Sequence, residues 1–353
     1  MRKYLLPKEG KFYKANLHSH STVSDGHYTP EELKELYMAQ GYSVFAYTDH
    51  NLMVPHTELT DEHFVALTGW EFGVSAFDTQ KLEKYGTDNK NAKRVHVKNC
   101  DICVISPSPD IVTQLCYHRS KHIPPFMEPM RALVHYDENE PDFEREFTPA
   151  CINEFIKRHT DAGYFVTFNH PGFSIADYPQ YIQYHGMHAM EICNFGSIAS
   201  GHPDYNEKEY DDLLRSGQRI FCIATDDNHN YERSDPNRIC DSFGGFTMIK
   251  AEELKYESII NALKAGNMYA SQGPLIHELY VENEKLFISC SDAERIALTT
   301  EGRRCSLVQD PDGNPVNTAC FDIFPEDGYV RVTVTDFRGK HANTNAYFTD
   351  TIF

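Results

Sequence analysis

Short apolar runs alternate with helix-capping segments along residues 15–270. The apolar runs predict buried strands at residues 43–48, 64–68, 164–168, 189–193 and 219–225. Thr29-Pro30-Glu31-Glu32 is a capping box with proline at the first helical position, which predicts a helix that ends at Gly41. Further helices are predicted from Thr148-Pro149 onward and at residues 207–215. Strands that alternate with helices indicate an α/β fold with a parallel sheet.

Two parts of the chain depart from this alternation. Residues 75–147 form a polar, proline-containing segment, which we expect to be an insertion over the functional site. After residue 274 the chain shows short alternating runs separated by turn residues, and these predict a small antiparallel β-sandwich with strands at residues 278–281, 286–289, 295–298 and 329–334. We therefore expect two domains, residues 1–274 and residues 275–353.

The composition restricts the possible compartments and partners. Of the 353 residues, 41% are hydrophobic and 24% are charged, as in ordinary globular proteins. No apolar run approaches the roughly 20 residues that span a membrane, and the first residues lack a signal-peptide pattern. We therefore expect a cytoplasmic protein with reduced cysteines. The net charge of −19 disfavours long nucleic acids as partners, whereas bound cations would still admit a small phosphorylated substrate.

Histidines and carboxylates follow several of the predicted strands. His18 and His20 point to one face if the segment is extended, and Asp25 follows in the next loop. Similar side chains occur in three more fragments: Thr48-Asp49-His50, Gly69-Trp70-Glu71 and Asp226-Asp227-Asn228-His229. In parallel barrels, functional sites collect at the C-terminal ends of the strands. A ligand set of nitrogen and oxygen without cysteine indicates zinc, manganese or iron and predicts a hydrolase with several metal ions.

These fragments resemble the motifs of the PHP family, named for polymerase and histidinol phosphatase. The pattern HxHSxxSDG stands at residues 18–26, TDH at residues 48–50, the glutamate motif at residues 69–71 and HPG at residues 170–172. The resemblance covers residues 15 to about 270. It implies a distorted (β/α)7 barrel that holds two or three divalent metal ions.

The resemblance also implies nine ligand positions. Six of them match directly: His18, His20, Asp25, His50, Glu71 and His170. For the histidine expected after the glutamate we choose His96, with His118, His122 and His135 as alternatives. The last motif departs from the family pattern Ser-Asp-x-His, so Asp226 and Asp227 both stay candidates beside His229. The shared strand face at i and i+2 favours Asp227, and the preceding threonine favours Asp226.

A metal centre of this kind predicts a phosphoesterase that acts on a small metabolite or nucleotide through a metal-bridging hydroxide. Glu71 is then the expected bridging ligand, and His50 or His229 the expected proton donor to the leaving group. Candidates for substrate binding are Arg238, Arg233, Arg119, Lys121, Asn194 and Asn169, while Glu191 is a candidate for orienting a ligand histidine. Two alternatives remain open: an amidohydrolase-like enzyme that uses the same centre, and a non-catalytic metal-stabilised binding module.

Overall fold

A computed structural model of the chain describes residues 2–353. Its strands are β1 (Lys3–Tyr4), β2 (Lys11–Asn16), β3 (Tyr42–Tyr47), β4 (Val65–Phe77), β5 (Val97–Ile105), β6 (Phe165–Phe168), β7 (Ala189–Asn194), β8 (Phe221–Thr225), β9 (Phe246–Ala251), β10 (Met268–Ser271), β11 (Ile276–Glu282), β12 (Lys285–Ala293), β13 (Arg295–Thr300), β14 (Cys305–Gln309), β15 (Val316–Asp322), β16 (Tyr329–Thr335), β17 (His341–Thr344) and β18 (Tyr347–Phe348). Its α-helices are α1 (Pro30–Met38), α2 (Thr79–Tyr85), α3 (Lys90–Val95), α4 (Pro149–Asp161), α5 (Tyr178–Tyr181), α6 (Phe195–Ala199), α7 (Glu207–Arg215), α8 (Tyr256–Lys264) and α9 (Thr349–Ile352).

Local sequence signals fix the ends of the helices that pack on the sheet. The Thr29 side chain accepts a hydrogen bond from the backbone N–H of Glu32, and the Glu32 side chain accepts one from the Thr29 N–H, which is the predicted capping box of α1. Thr148 caps α4 in the same way through the N–H of Cys151. One face of α4, including Ile152, is buried against the sheet in the main core cluster.

A large mixed sheet forms the centre of the molecule. Its strand order is β14-β13-β16-β17-β10-β9-β2-β3-β4-β5-β6-β7-β8, with β18 beside β16. The runs β2-β3-β4 and β6-β7-β8 are parallel, whereas β5 is antiparallel to both of its neighbours. The expected α/β fold is therefore present, but the sheet is mixed and not purely parallel as predicted, because β5 and β9 run antiparallel to their neighbours.

The closed barrel implied by the resemblance is not formed by the strand pairing of residues 2–353. At the open side, β2 and β8 meet through a single bridge between Ser19 and Asn228, just beyond the ends of both strands. The side chain of Thr247 on β9 bonds the backbone of Ala224 on β8, donating to its carbonyl at 3.0 Å and accepting from its N–H at 3.2 Å. These contacts hold the C-terminal ends of β2 and β8 together, which is where the candidate ligands lie.

The segment predicted as an insertion has two parts. Strands β4 and β5 form a long antiparallel arm that carries α2 and α3 at its tip. Residues 106–148 then cross the rim of the candidate site, where Tyr117 and Met127 pack on Val23, Leu52 and Val54 from the loops that follow β2 and β3. The insertion therefore covers the loops that carry the first two motifs.

The C-terminal strands build a two-layer β structure. A four-stranded sheet of order β1-β11-β12-β15 packs on the end of the large sheet around a separate apolar core. The large sheet crosses the expected domain boundary at residue 274, because β10 pairs with β17. Arg331 of β16 is 1% exposed and makes ion pairs with Asp211 and Glu207 of α7, which joins the two parts. Over residues 2–353 no helix combines the length and the apolar character needed to cross a membrane.

Candidate metal centre

The loop that carries His18 and His20 is organised by one buried carboxylate. Asp49 accepts hydrogen bonds from the backbone N–H groups of Ser21 and Ser24, at 2.8 and 3.1 Å, and from both hydroxyls, at 2.9 and 2.6 Å. A Cβ atom at Gly26 would lie 2.3 Å from the carbonyl oxygen of His20, so the loop needs glycine there. The serines and the glycine of the motif therefore fix the path of the chain around His20.

Five further strands bring ligand side chains to the same edge. His50 follows β3, Glu71 lies in β4, Asp101 in β5, His170 follows β6, and Asp227 and His229 follow β8. Two of these residues have positive φ angles, 26° at His170 and 51° at Asp227. Such angles are uncommon for residues with a side chain and concentrate at functional sites.

Glu71 lies at the middle of these side chains and is 1% exposed. Its Oε1 is 3.2 Å from His18 Nε2 and 3.1 Å from His170 Nε2, and its Oε2 is 2.8 Å from His50 Nδ1. One carboxylate thus faces three histidines that come from three strands. This is the arrangement that a bridging metal ligand requires.

The ligand atoms form overlapping groups in which all atoms lie within 4.8 Å of one another. Three of these groups are His18, His20 and Asp227; Glu71, Asp101 and His170; and His20, Asp25, His50 and His229. His20 belongs to two groups, because its Nε2 is 2.9 Å from Asp227 Oδ1 and its Nδ1 is 3.8 Å from Asp25 Oδ1. The structure thus brings together eight of the ten residues predicted as metal ligands and adds Asp101.

The hydrogen bonds around the cluster select the histidine tautomers. His18 Nδ1 lies 2.8 Å from Glu191 Oε1, and His229 Nδ1 lies 3.0 Å from the carbonyl oxygen of Asp227. Both oxygens can only accept, so each Nδ1 carries a proton and each Nε2 is the ring nitrogen that could bind a cation. A partner that fixes the second ring nitrogen in this way is typical of histidines that bind metal.

Two carboxylate oxygens in the cluster make no well-aligned hydrogen bond within residues 2–353. Asp25 Oδ1 is buried with the nearest imidazole nitrogen 3.6 Å away, and Glu71 Oε2 is buried with His50 Nδ1 beside it, at 2.8 Å. An unpaired buried carboxylate oxygen is costly, and a bound cation would remove that cost. Since the other donors are imidazole nitrogens and carboxylates, the set fits divalent ions such as zinc, manganese or iron.

The side chain predicted as the seventh ligand, His96, does not reach the cluster. It lies at the end of α3, at the tip of the arm, where its ring stacks on Tyr85 at 5.7 Å. Asp101 lies in the cluster instead, because it pairs with Gly73 across the β4–β5 ladder and so lies beside Glu71 on the same face. The sequence does contain an indication of this residue, because Asp101 is an acidic residue inside the apolar run Cys100–Ile105. It was missed because only histidines were considered for this position.

The alternative histidines also lie outside the cluster. His118 Nε2 is 3.2 Å from Glu144 Oε1 in the insertion, and its ring contacts that of His122 at 5.3 Å. His135 is exposed on the same segment. These three side chains belong to the packing of the insertion.

The two adjacent aspartates have different environments. Asp226 accepts hydrogen bonds from the backbone N–H groups of Phe243, Gly244 and Gly245 and from the Tyr37 hydroxyl, which occupies both of its oxygens. The positive φ at Asp227 turns the next carboxylate in the opposite direction, toward His18 and His20. The structure therefore favours Asp227 as the ligand and gives Asp226 a role in holding the loop.

The two asparagines predicted to bind substrate lie beneath the cluster. Asn169 Nδ2 donates to Glu71 Oε1 at 3.2 Å and to the Cys103 sulfur at 2.9 Å, and Asn194 Nδ2 donates to Glu191 Oε2 at 2.9 Å and to Asp227 Oδ2 at 3.1 Å. Both residues are fully buried. This corrects the prediction, because their amide groups position ligands and do not face a substrate.

The basic residues differ in whether they have a partner. Arg233 forms a bidentate ion pair with Glu32, Arg119 pairs with Asp142, and Lys121 pairs with Glu144. Arg238 has no carboxylate within 4.0 Å in the described part of the chain. Its guanidinium lies 5.0 Å from the centre of the Tyr231 ring, which is itself stacked on His229 at 5.3 Å.

The charges of the cluster shift several pKa values. Burial lowers the pKa of His50 and of His170, but Glu71 outweighs burial and raises both to about 10. Burial and the neighbouring histidines lower the pKa of His20 to about 4. Burial and the Glu71 carboxylate raise the pKa of Asp101 to about 7. Shifts of both signs among touching groups are typical of functional sites.

No protein-family model matches the chain, and no curated protein matches it. It is similar to a two-domain protein from Bacteroides vulgatus ATCC 8482, described as containing a predicted PHP-like metal-dependent phosphoesterase, with 15% identity, coverage of 95% of this chain and 94% of that chain, and a TM-score of 0.45. The family in that description is the one that the motifs of this chain resemble.

Two further solved structures are similar over a shorter part of the chain, each at 15% identity with a TM-score of 0.36. One is a candidate metal-dependent phosphoesterase from Bifidobacterium adolescentis ATCC 15703, which covers 64% of this chain and 89% of that chain. The other is an amidohydrolase from Chromobacterium violaceum with bound sulfate and no metal, which covers 61% of this chain and 87% of that chain.

Proposed function

We propose that this protein is a metal-dependent phosphoesterase that hydrolyses a phosphate ester of a small metabolite or nucleotide. The observation that carries the proposal is that three ligand groups lie together at one edge of the sheet, with the Glu71 carboxylate within 3.2 Å of a histidine of each group. Three adjacent cations are suited to phosphoryl transfer, because separate ions can hold the attacking oxygen and the leaving oxygen. A carbonyl substrate presents fewer oxygens for such a set.

The residues that would hold the ions are those of the three groups, with His20 shared by two of them and Glu71 in contact with a histidine of each. The carboxylates of Asp25, Glu71, Asp101 and Asp227 supply about −4, so three divalent ions would leave a net charge of about +2. When bound, such ions lower the pKa of water and polarise phosphoryl oxygens. The centre would then attract a phosphate dianion in spite of the acidic protein around it.

The chain's own residues position the ligands, exclude water and hold a proton for the leaving group. Glu191 and Asn194 hold His18 and Asp227 in position, and the buried walls around them exclude water from one side of the cluster. The His50 and His229 side chains are 34% and 17% exposed, so they face the open mouth. Either of them is placed to hold the proton that the leaving alcohol takes.

Arg238 is the basic residue that we assign to substrate binding. Arg238 has no carboxylate partner within residues 2–353, and its guanidinium lies over the Tyr231 ring, which in turn stacks on His229. It is therefore free to form a charge-assisted hydrogen bond with a phosphate oxygen at the mouth. Arg238→Ala should raise KM by about 10- to 100-fold, the loss of one hydrogen bond to a charged group. Arg233→Ala is the matched control, because that side chain is already paired with Glu32.

The test is a comparison of two substrate panels with the metal-stripped protein after reloading with zinc, manganese or iron(II). We expect phosphate release from phosphomonoesters that depends on the added metal, and no turnover of amides or lactones. His20→Ala should abolish that release while leaving the fold intact, and His185→Ala, an exposed histidine, should not.

Two outcomes would contradict the proposal. Turnover of the amide or lactone panel alone would indicate the amidohydrolase-like alternative. Tight metal binding without turnover of either panel would indicate a non-catalytic module.

A further inference from the structure

The face of the β4–β5 arm that carries the metal ligands continues away from the cluster. Across the ladder Glu71 pairs with Cys103 and Gly73 with Asp101, followed by Ser75 with Asn99 and Phe77 with Val97. Side chains two residues apart share a face, so all four pairs lie on the side of the cluster. The opposite face, with Trp70, Phe72 and Val74, is buried in the core.

Along this face the surface changes from charged to polar to apolar. Beyond Asp101, the Ser75 hydroxyl donates to Asn99 Oδ1 at 2.8 Å. Beyond that pair lies a cleft of about 320 Å³ whose apolar walls are Phe77, Val95, Val97 and Ile175.

The cleft is tied to the metal centre by the loop that follows His170. The hydroxyl of Ser174 lies 3.1 Å from His170 Nδ1 and 3.5 Å from Asp101 Oδ2, and its carbonyl accepts a hydrogen bond from the Asn99 N–H at 3.1 Å. Ile175 is the next residue and forms a wall of the cleft. One loop therefore contacts two metal ligands at one end and the apolar cleft at the other.

Apolar side chains form most of the cleft walls, His96 is the remaining polar side chain, and the charged residues at the rim are paired. Phe77, Val95 and Ile175 are 47%, 65% and 52% exposed, although large apolar side chains are normally buried. The two lysines at the cleft, Lys81 and Lys98, are paired with Asp78 and Asp177. Exposed apolar side chains that converge on a cleft are typical of a binding groove.

We propose that this cleft binds the apolar end of the alcohol in the phosphate ester that the metal centre hydrolyses, an inference that rests on the proposed phosphoesterase function. Val97 and Asp101 are four positions apart on β5, so the cleft begins ~13 Å from the metal ligands at the strand rise of about 3.3 Å per residue. The substrate is then a phosphate monoester with an uncharged alkyl or aryl end at that distance from phosphorus. Water cleaves its P–O bond and releases inorganic phosphate and the alcohol.

The test compares decyl phosphate, whose chain spans this distance, with butyl phosphate, whose chain does not. Each methylene buried from water favours binding by about fourfold, so burial of two or more should give decyl phosphate at least about a 15-fold higher kcat/KM, mostly through KM. Ile175→Ser and Val95→Ser should each reduce the decyl-to-butyl ratio severalfold. Leu307→Ser, on the exposed surface of β14, is the matched control and should leave the ratio unchanged.

The possible failures are distinguishable. Equal kcat/KM for the two esters, or a ratio that Ile175→Ser and Val95→Ser do not lower, would overturn the assignment of the cleft and leave the phosphoesterase in place. If the metal-loaded protein hydrolyses neither ester and also fails on p-nitrophenyl phosphate, the proposed function is wrong and the cleft assignment falls with it.

Discussion

Glu191→Gln tests whether the cluster is a metal centre without changing any of its ligands. The Glu191 side chain is fully buried and accepts four hydrogen bonds. Oε1 accepts from His18 Nδ1 at 2.8 Å and from the Thr225 hydroxyl at 2.7 Å, and Oε2 accepts from the His170 N–H at 2.8 Å and from Asn194 Nδ2 at 2.9 Å. An amide in place of the carboxylate can accept on one side only.

The groups that contact residue 191 determine which of the two positions, that of Oε1 or that of Oε2, the glutamine oxygen occupies. The His170 N–H belongs to the backbone and cannot turn, so the glutamine oxygen must take the position of Oε2. Its NH2 group then faces His18 Nδ1, which has to accept, and the His18 proton moves to Nε2. Nε2 is the atom that faces Glu71 at 3.2 Å, so the variant removes a lone pair from the metal-binding side.

Loss of such a supporting carboxylate costs about 10- to 100-fold in metal affinity, or about 1.4 to 2.8 kcal/mol. The assay is competitive titration of the metal-stripped variant with zinc against a chelator of known affinity. Glu257→Gln, at an exposed glutamate on α8, is the control for the charge change. Unchanged zinc affinity in folded Glu191→Gln protein would refute the role given to Glu191 and weaken the assignment of His18 as a ligand.

Three further predictions concern the ligand set, the pH dependence of metal binding and the contact between α7 and β16. Asp101→Asn should lower the number of metal ions bound after reloading, measured by elemental analysis, whereas His96→Asn should not; the reverse result would restore the sequence prediction. Metal affinity should rise with pH up to about 10 and binding should release protons, seen by calorimetry in two buffers, because burial lowers the pKa values of His50 and His170 but Glu71 outweighs burial and raises both to about 10. Arg331→Met should reduce the free energy of unfolding in urea by about 3 kcal/mol, since the buried Asp211 would keep only the Tyr329 hydroxyl and, at 3.6 Å, the more exposed Arg215; a loss below 1 kcal/mol, the ordinary range for a surface pair, would contradict this.

Local sequence patterns were sufficient to predict most of the helices and strands. The capping box at Thr29 and the cap at Thr148 involve neighbouring residues only, so the sequence predicted where α1 and α4 begin. Closure of the barrel was not predictable in this way, because it depends on whether distant strands such as β8 and β9 pair. The internal structure of residues 75–147 also depends on long-range contacts, among them those of Tyr117 with loops that lie far away in the sequence.

The sequence by itself determined the chemistry of this protein: which residue types are present, and that His18, His20, His50, Glu71 and His170 follow strand-forming segments. Only the tertiary structure decided which further side chains join the candidate cluster. Asp101 lies in the cluster and His96 does not, because strand pairing sets Asp101 opposite Gly73, and Asp227 faces the cluster while Asp226 does not, because the backbone turns between them. Spacing along a chain limits which side chains share a face, but pairing between strands and the direction of one backbone turn place their atoms within reach of a common ion.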